Sequence, residues 1–219
     1  MEKDISLFCL KYAESVLPES MVFRGGNPKK QIPITFAIYL IRSGPKNILV
    51  DAGCDTMPGF HMKNFVSPLC VLEQIGLIAD DITDVVITHS HHDHIDLVRY
   101  FQNAVIHITK EEFSAGESYI PKNMAIHLID REWDIAEHIK VLKIGGHSPG
   151  SAIVEIAQES ITYVIAGDEF YCSECIARKI PTGSSFQVAK SHAFITKYSD
   201  RTYSVLTMHD KNLKTEQII

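Results

Sequence analysis

The 219-residue chain lacks several features that would assign it to other classes of protein. No run approaches the about 18 apolar residues that a membrane span needs, and the N-terminal sequence MEKDISLFCLKY has no long apolar signal segment. No block of lysine or arginine is present to follow a phosphate backbone, and 27 acidic against 21 basic residues give a net charge of −6. We therefore expect a cytoplasmic protein that binds neither membranes nor nucleic acid.

Cysteine is also scarce, with five residues scattered along the chain. An odd, scattered set does not resemble a disulfide framework and favours a reducing compartment. One pair, Cys172-x-x-Cys175, has a spacing found in redox and metal-binding motifs. Since no second pair accompanies it, we interpret these cysteines as packing or helix-surface residues.

No repeat, low-complexity tract or Pro/Ser-rich linker interrupts the sequence, so residues 1–219 are expected to form a single domain. Short β-rich runs alternate with helical ones, which is typical of an α/β protein. The predicted strands are 34–43, 47–53, 84–90, 104–109, 138–146, 151–158, 161–168 and 203–210. The predicted helices are 67–77, 96–101, 110–117 and 184–198.

Histidine is abundant, at 11 residues, and imidazole is the commonest side-chain ligand of transition metals. Four of the predicted strands end in Asp or are directly followed by His. Residues at strand ends lie along one edge of a sheet and can converge on one site, which the strands behind them hold rigid. The sequence thus predicts a metal site at a sheet edge.

The strongest motif is His89-Ser90-His91-His92-Asp93-His94, directly after the apolar run 85–87. An extended backbone points His89 and His91 to the same side, whereas Asp93 and His94 need a turn to face a second metal. His92 would point away and is not expected to bind metal. The alternative is a solvated turn or a helix N-cap at Asp93.

Three downstream residues complete the candidate ligand set. His147 lies in a turn rich in Gly and Pro, while Asp168 and His209 each follow an apolar strand. Three protein ligands leave positions open on an ion, and a carboxylate between two ions can bridge them. We predict one site of His89, His91 and His147, a second of Asp93, His94 and His209, and Asp168 as the bridge.

This ordered pattern closely resembles that of the metallo-β-lactamase superfamily. The resemblance covers about residues 30–210 and implies a four-layer αβ/βα sandwich with the site along one sheet edge. It also implies two divalent metal ions, zinc in the first place and iron, manganese or cobalt as alternatives. Residues 48–53 resemble the early strand of that family, which ends in an Asp, here Asp51, that supports the metal loop.

Within the superfamily the best match is to the N-acyl-homoserine lactonases. In those enzymes a Tyr three residues after the bridging Asp contacts the substrate carbonyl, and the last His is followed by Asp. Asp168 with Tyr171 and the pair His209-Asp210 reproduce both features, and residues 179–183 resemble the segment that follows in those enzymes. The resemblance implies that a metal-bound hydroxide opens a small-molecule lactone, that Tyr171 stabilises the oxyanion, and that Asp168 or Asp93 moves the proton.

Other members of the superfamily fit less well. A β-lactamase of the commonest metallo class has Cys where Asp168 stands, a flavodiiron protein has Glu in place of His91, and an RNA-processing nuclease needs a basic surface. A glyoxalase II-like thioesterase has nearly the same ligands and is the main alternative. The other is a non-catalytic metal-binding protein that has kept the fold.

Overall fold

Two β-sheets pack against each other in the structure, a computed structural model that describes residues 5–219. The seven-stranded sheet has the order β12-β1-β2-β3-β4-β5-β6. Its strands are β1 Ile5–Pro18, β2 Gln31–Ser43, β3 Lys46–Val50, β4 Asp84–Val86, β5 Val105–Thr109, β6 Ala125–Ile129 and β12 Glu216–Gln217. The five-stranded sheet has the order β11-β10-β9-β8-β7. Its strands are β7 Glu132–Ala136, β8 Ile139–Lys143, β9 Ala152–Ala157, β10 Thr162–Ile165 and β11 Tyr203–Leu206.

Helices cover the outer faces of the two sheets. They are α1 Glu19–Val22, α2 Pro68–Gln74, α3 His92–Ile95, α4 Lys110–Gly116, α5 Ser173–Arg178 and α6 Val188–Tyr198. Residues 96–101, predicted as helix, contain a 3₁₀ helix at Asp96–Tyr100. Helices outside and sheets inside make the four-layer αβ/βα sandwich, which confirms the predicted fold.

Both faces of β2 are buried, and successive side chains pack on opposite sides of the sheet. Tyr39 and Ile41 pack in the cluster between the sheets, whereas Ile38 and Leu40 pack in the cluster beneath the helices. A strand covered on both faces is apolar at consecutive positions, as residues 36–41 are.

The single domain expected for residues 1–219 stays a prediction, and residues 1–4 lie outside the described part of the chain. Among residues 5–219, no helix is long and apolar enough to cross a bilayer.

Each of the eight predicted strands overlaps an observed strand, and most observed strands end earlier than predicted. β4 stops at Val86 and β10 at Ile165, and the residues beyond them leave the ladder and carry His89 and Asp168. The sheets therefore end where the candidate site begins.

Candidate metal centre and active site

The His-rich motif changes direction halfway along its length. His91 has extended backbone angles and directly precedes the short helix α3. That helix places Asp93 and His94 in a second group of potential ligands, separate from that of His89 and His91, as the motif predicts. His92 lies outside both groups of potential ligands, because its ring nitrogens contact the hydroxyl of Tyr119 and the carbonyl oxygen of Thr56.

The first group joins His89, His91 and His147. Nε2 of His89 and Nε2 of His147 lie 2.9 and 3.0 Å from Nδ1 of His91. Oδ2 of Asp168 lies 3.6 Å from Nε2 of His89 and 3.5 Å from Nε2 of His147. One carboxylate oxygen of Asp168 therefore faces this group.

The second group joins Asp93, His94 and His209. Oδ2 of Asp93 lies 3.6 Å from Nε2 of His94 and 3.6 Å from Nε2 of His209. The other oxygen of Asp168, Oδ1, lies 3.3 and 3.1 Å from the same two nitrogens. Asp168 thus stands between the two groups with one oxygen toward each.

These distances fit metal ligands. Four donors arranged tetrahedrally at 2.0–2.1 Å from zinc would lie about 3.3 Å from one another. Nε2 of His94 and Oδ1 of Asp168 are buried without a hydrogen-bond partner. Such atoms cost free energy unless something binds them. The donor set therefore fits divalent metal ions.

Asp51 orients candidate ligands that follow strands of the seven-stranded sheet. It follows β3, and its carboxylate accepts hydrogen bonds from the Thr88 backbone N–H at 2.7 Å and the Thr88 hydroxyl at 2.8 Å. Nδ1 of His94 lies 2.7 Å from the same carboxylate, so its proton is held there and the Nε2 lone pair is left for a metal. The predicted supporting position of Asp51 is what the structure shows.

The ligands from the second sheet are held in the same way. Nδ1 of His209 donates to the carbonyl oxygen of Thr35 at 2.8 Å, and Nδ1 of His147 lies 3.4 Å from the Ser184 hydroxyl. Burial lowers the pKa of His147 to about 4, which keeps its imidazole neutral and able to bind a cation.

Two buried glutamates tie the ligand loops together and were missed by the sequence analysis. Glu112 accepts from the N–H and hydroxyl of Ser90, the hydroxyl of Ser148 and the N–H of Gly150, at 2.6–2.8 Å. It thereby joins the loop of His89 to the loop of His147. Nothing in the sequence indicated this role, because Glu112 lies in the first turn of a predicted helix, where acidic residues are common.

Glu169 holds the same loop from the other side. Its Oε1 accepts from the N–H groups of Gly146 and His147 at 3.0 and 3.1 Å, and from the Ser151 hydroxyl at 2.6 Å. A Cβ at position 146 would lie 2.2 Å from Oε2 of Glu169, so glycine is needed for the close approach. The glycine directly before His147 therefore has a structural reason.

Tyr171 lies beside the ligands. Its ring stands edge-on to that of His209, with centroids 5.2 Å apart, and its hydroxyl lies 3.0 Å from that of Ser184. Burial raises the pKa of Tyr171 well above its usual range, so the hydroxyl stays protonated and can donate a hydrogen bond. The side chain is only 6% exposed.

A cavity of about 270 Å³ opens above this site. Its floor includes His91, Asp93, Asp168, Tyr171 and His209. Its wall is apolar and comprises Leu17, Met21, Ile34, Phe36, Met57 and Phe60. A more polar depression of about 530 Å³ adjoins it and shares two of the wall residues. The reactive groups are therefore reached through an apolar cavity.

This fold with a polar floor of candidate metal ligands is typical of one class of protein, and comparison with known families agrees. The profile of the metallo-β-lactamase superfamily matches residues 37–194. The chain belongs to that superfamily and is a metal-dependent hydrolase.

Particular relatives and structures can also be named. The N-acyl homoserine lactonase AiiA of Bacillus thuringiensis subsp. kurstaki is 23% identical over 200 residues, covering 80% of each chain. An N-acyl homoserine lactone hydrolase, solved with its product N-hexanoyl-L-homoserine at the catalytic metal centre, has a TM-score of 0.84 at 20% identity over 100% of both chains. The dizinc quorum-quenching lactonase AidC has a TM-score of 0.77 at 20% identity, covering 94% of this chain and 88% of its own.

Proposed function

We propose that the protein holds two divalent metal ions, zinc in the first place, and opens the ring of a lactone with an acyl side chain. The observation that carries this proposal is that a protonated Tyr171 and the bridging position of Asp168 share the floor of one apolar cavity. The relatives named above are lactonases, which supports the same substrate class. Iron, manganese or cobalt are the alternatives to zinc.

Bound ions would acidify water and polarise the carbonyl of the substrate. The Tyr171 hydroxyl lies at the floor of the cavity and would donate to the carbonyl oxygen as negative charge develops on it. Asp93 or Asp168 would move the proton from the attacking water to the ring oxygen that leaves. The apolar wall would limit the entry of bulk water and so strengthen these polar interactions.

The wall also suggests where an acyl chain would lie. Its six side chains offer no charged group, so they match an alkyl chain better than a charged substituent. A volume of about 270 Å³ is at the small end for ligand pockets, which favours a small substrate.

A substrate panel on metal-reconstituted protein tests this proposal. We expect N-acyl-homoserine lactones to be hydrolysed with a higher kcat/KM than a glutathione thioester, a β-lactam or a phosphodiester. Preference for the thioester would favour the glyoxalase II-like alternative. Full metal content without turnover of any of these would favour a non-catalytic metal-binding protein.

We further propose that residues 1–219 are one domain, since both sheets share the interior cluster that lies between them.

All five cysteines are free thiols. A reducing compartment such as the cytoplasm would keep them so.

A further inference from the structure

The CxxC pair lies beside the active site. The Sγ atoms of Cys172 and Cys175 are 3.8 Å apart, because the first turn of α5 brings residues three apart together. Cys175 is fully buried, as packing would require, whereas Cys172 is partly exposed. One thiol of the pair is thus accessible to a reagent and the other is held behind it.

Contacts within the pair make the two thiols unequal. The hydrogen bond with Cys175 lowers the pKa of Cys172, and the same contact, together with burial, raises the pKa of Cys175. The partly exposed Cys172 is therefore the more acidic thiol of the two, which is the arrangement of an attacking cysteine and a resolving one.

Backbone and side-chain contacts connect this pair to the ligand His209. Cys172 directly follows Tyr171, whose carbonyl oxygen accepts from the His209 N–H at 3.1 Å. Ser173, the next residue, donates to Asp210 from its N–H at 3.0 Å and from its hydroxyl. A movement at Cys172 would therefore reach the floor of the cavity over a few bonds.

We propose that Cys172 and Cys175 are a redox-active dithiol that reacts with small-molecule disulfides such as glutathione disulfide and closes to an intramolecular disulfide next to the active site. The Cys172 thiolate attacks one sulfur of glutathione disulfide, forms a mixed disulfide and releases one glutathione thiolate. Cys175 then loses its proton, attacks Sγ of Cys172 and releases the second glutathione. The protein loses two electrons and two protons, and one glutathione disulfide becomes two glutathione thiols.

Closure would change the site. A disulfide has an S–S distance of about 2.05 Å, so the two sulfur atoms must approach each other by well over an ångström. Displacement of the Tyr171 and His209 backbone by part of that distance would lower lactone hydrolysis by roughly tenfold. This effect on hydrolysis rests on the proposed function, whereas the dithiol chemistry does not.

The chemistry is tested by thiol trapping in the metal-loaded protein, without any substrate. The protein is equilibrated anaerobically in glutathione buffers of increasing oxidised fraction, alkylated and analysed by mass spectrometry of its peptides. We expect a Cys172–Cys175 disulfide that dithiothreitol reverses. Cys175→Ser should stop at a glutathione adduct on Cys172, and Cys172→Ser should give neither product.

Cys70→Ser is the matched control, because Cys70 is an exposed cysteine without a partner cysteine. It should leave the Cys172–Cys175 disulfide unchanged. Alkylation of both Cys172 and Cys175 at every glutathione ratio would overturn the proposal. So would an adduct at Cys70 with none at Cys172 in the Cys175→Ser variant.

The coupling to hydrolysis has a separate readout. Oxidised wild-type protein should hydrolyse the best lactone more slowly and recover on reduction, while Cys172→Ser should not respond. Equal rates in the oxidised and reduced wild-type protein would overturn the coupling. Absence of lactone hydrolysis in the reduced protein would contradict the proposed function, and thiol trapping would still decide on the dithiol.

Discussion

Two regions of the same cavity are built in different ways. The floor consists of polar His, Asp and Tyr side chains, and hydrogen bonds hold the second ring nitrogen of His209, on the Thr35 carbonyl oxygen, and of the neighbouring His94, on Asp51. The wall consists of apolar side chains such as Leu17 and Phe60, which are positioned by packing. Hydrogen bonds fix the floor in direction, whereas packing leaves the wall free to accept other apolar side chains of similar volume.

The two regions also come from different parts of the chain. The predicted ligands span residues 89–209, whereas the wall comes from residues 17–60. Leu17, Met21, Ile34 and Phe36 precede residue 37, where the match to the superfamily profile begins. The candidate ligands other than His209 therefore lie within the matched residues, whereas four of the six wall residues lie outside them.

The largest effect is expected from Asp168→Ala, which breaks the floor at its centre. Loss of one carboxylate oxygen from each group should lower metal affinity at both sites by more than about a hundredfold. Replacing a residue that only supports a ligand already lowers metal affinity roughly tenfold to a hundredfold. The activity should fall by at least about a thousandfold. Metal content after dialysis checks this, and two tightly held ions in the variant would contradict the bridging position.

Glu112→Gln should have the next largest effect, because it breaks the support of two ligand loops. A glutamine would turn an N–H group toward the N–H of Ser90 or that of Gly150, and one buried donor would be left without an acceptor. We expect the free energy of unfolding to fall by about 1–3 kcal/mol and metal affinity to fall about tenfold or more.

Glu111→Gln is the matched control for this change. Glu111 is the neighbouring residue, 44% exposed, and pairs with Lys143 at the surface. Its replacement should alter stability by less than about 0.5 kcal/mol and leave metal binding unchanged. Chemical denaturation and metal titration compare the two variants. Equal effects would mean that Glu112 supports the ligand loops no more than the surface residue Glu111 does.

Tyr171→Phe isolates the polar contribution of the floor from the metals. Loss of the hydroxyl should lower kcat by roughly tenfold to a hundredfold at unchanged metal content, because the metals would still polarise the carbonyl. Tyr203→Phe, on β11, is the control and should keep wild-type kinetics. Wild-type kinetics in Tyr171→Phe would mean that Tyr171 only lines the cavity. A loss of metal content alone would mean that its hydroxyl helps to hold the metal ligands in place.

The smallest effect is expected at the wall. Phe60→Ala should raise KM for a long-chain acyl lactone about fivefold, by loss of apolar contact, and leave kcat on a short-chain lactone unchanged. Phe186→Ala, an exposed aromatic that is 58% accessible, is the control. A fall in kcat on both substrates would mean that the wall also positions the reacting atoms.

The part of the floor that comes from His89–His94 was predictable because its motif is local, whereas Asp168, Tyr171 and His209 were predicted from the ordered pattern of the family. His89 to His94 are consecutive, and their spacing in an extended segment and a turn determines which way each side chain points. The positions of Glu112 and Glu169 were not predictable, since each acts on residues far away in sequence, at distances of 18 to 38 positions.

The first strand was missed for a different reason. β1 has a register shift between Lys11 and Ala13, so its buried positions do not alternate regularly, and Tyr12 and Ala13 are both buried. A bulge of this kind removes the period of two that a sequence pattern relies on. No element was assigned to the edge strand β6, whose short sequence AIHLI is apolar but does not alternate with polar residues.

Anomalous diffraction at the zinc edge from crystals of zinc-loaded protein tests the central claim most directly. We predict two peaks, one bonded by His89, His91 and His147 and the other by Asp93, His94 and His209, with one Asp168 oxygen on each. A single peak, or two peaks of which Asp168 contacts only one, would contradict the dinuclear site.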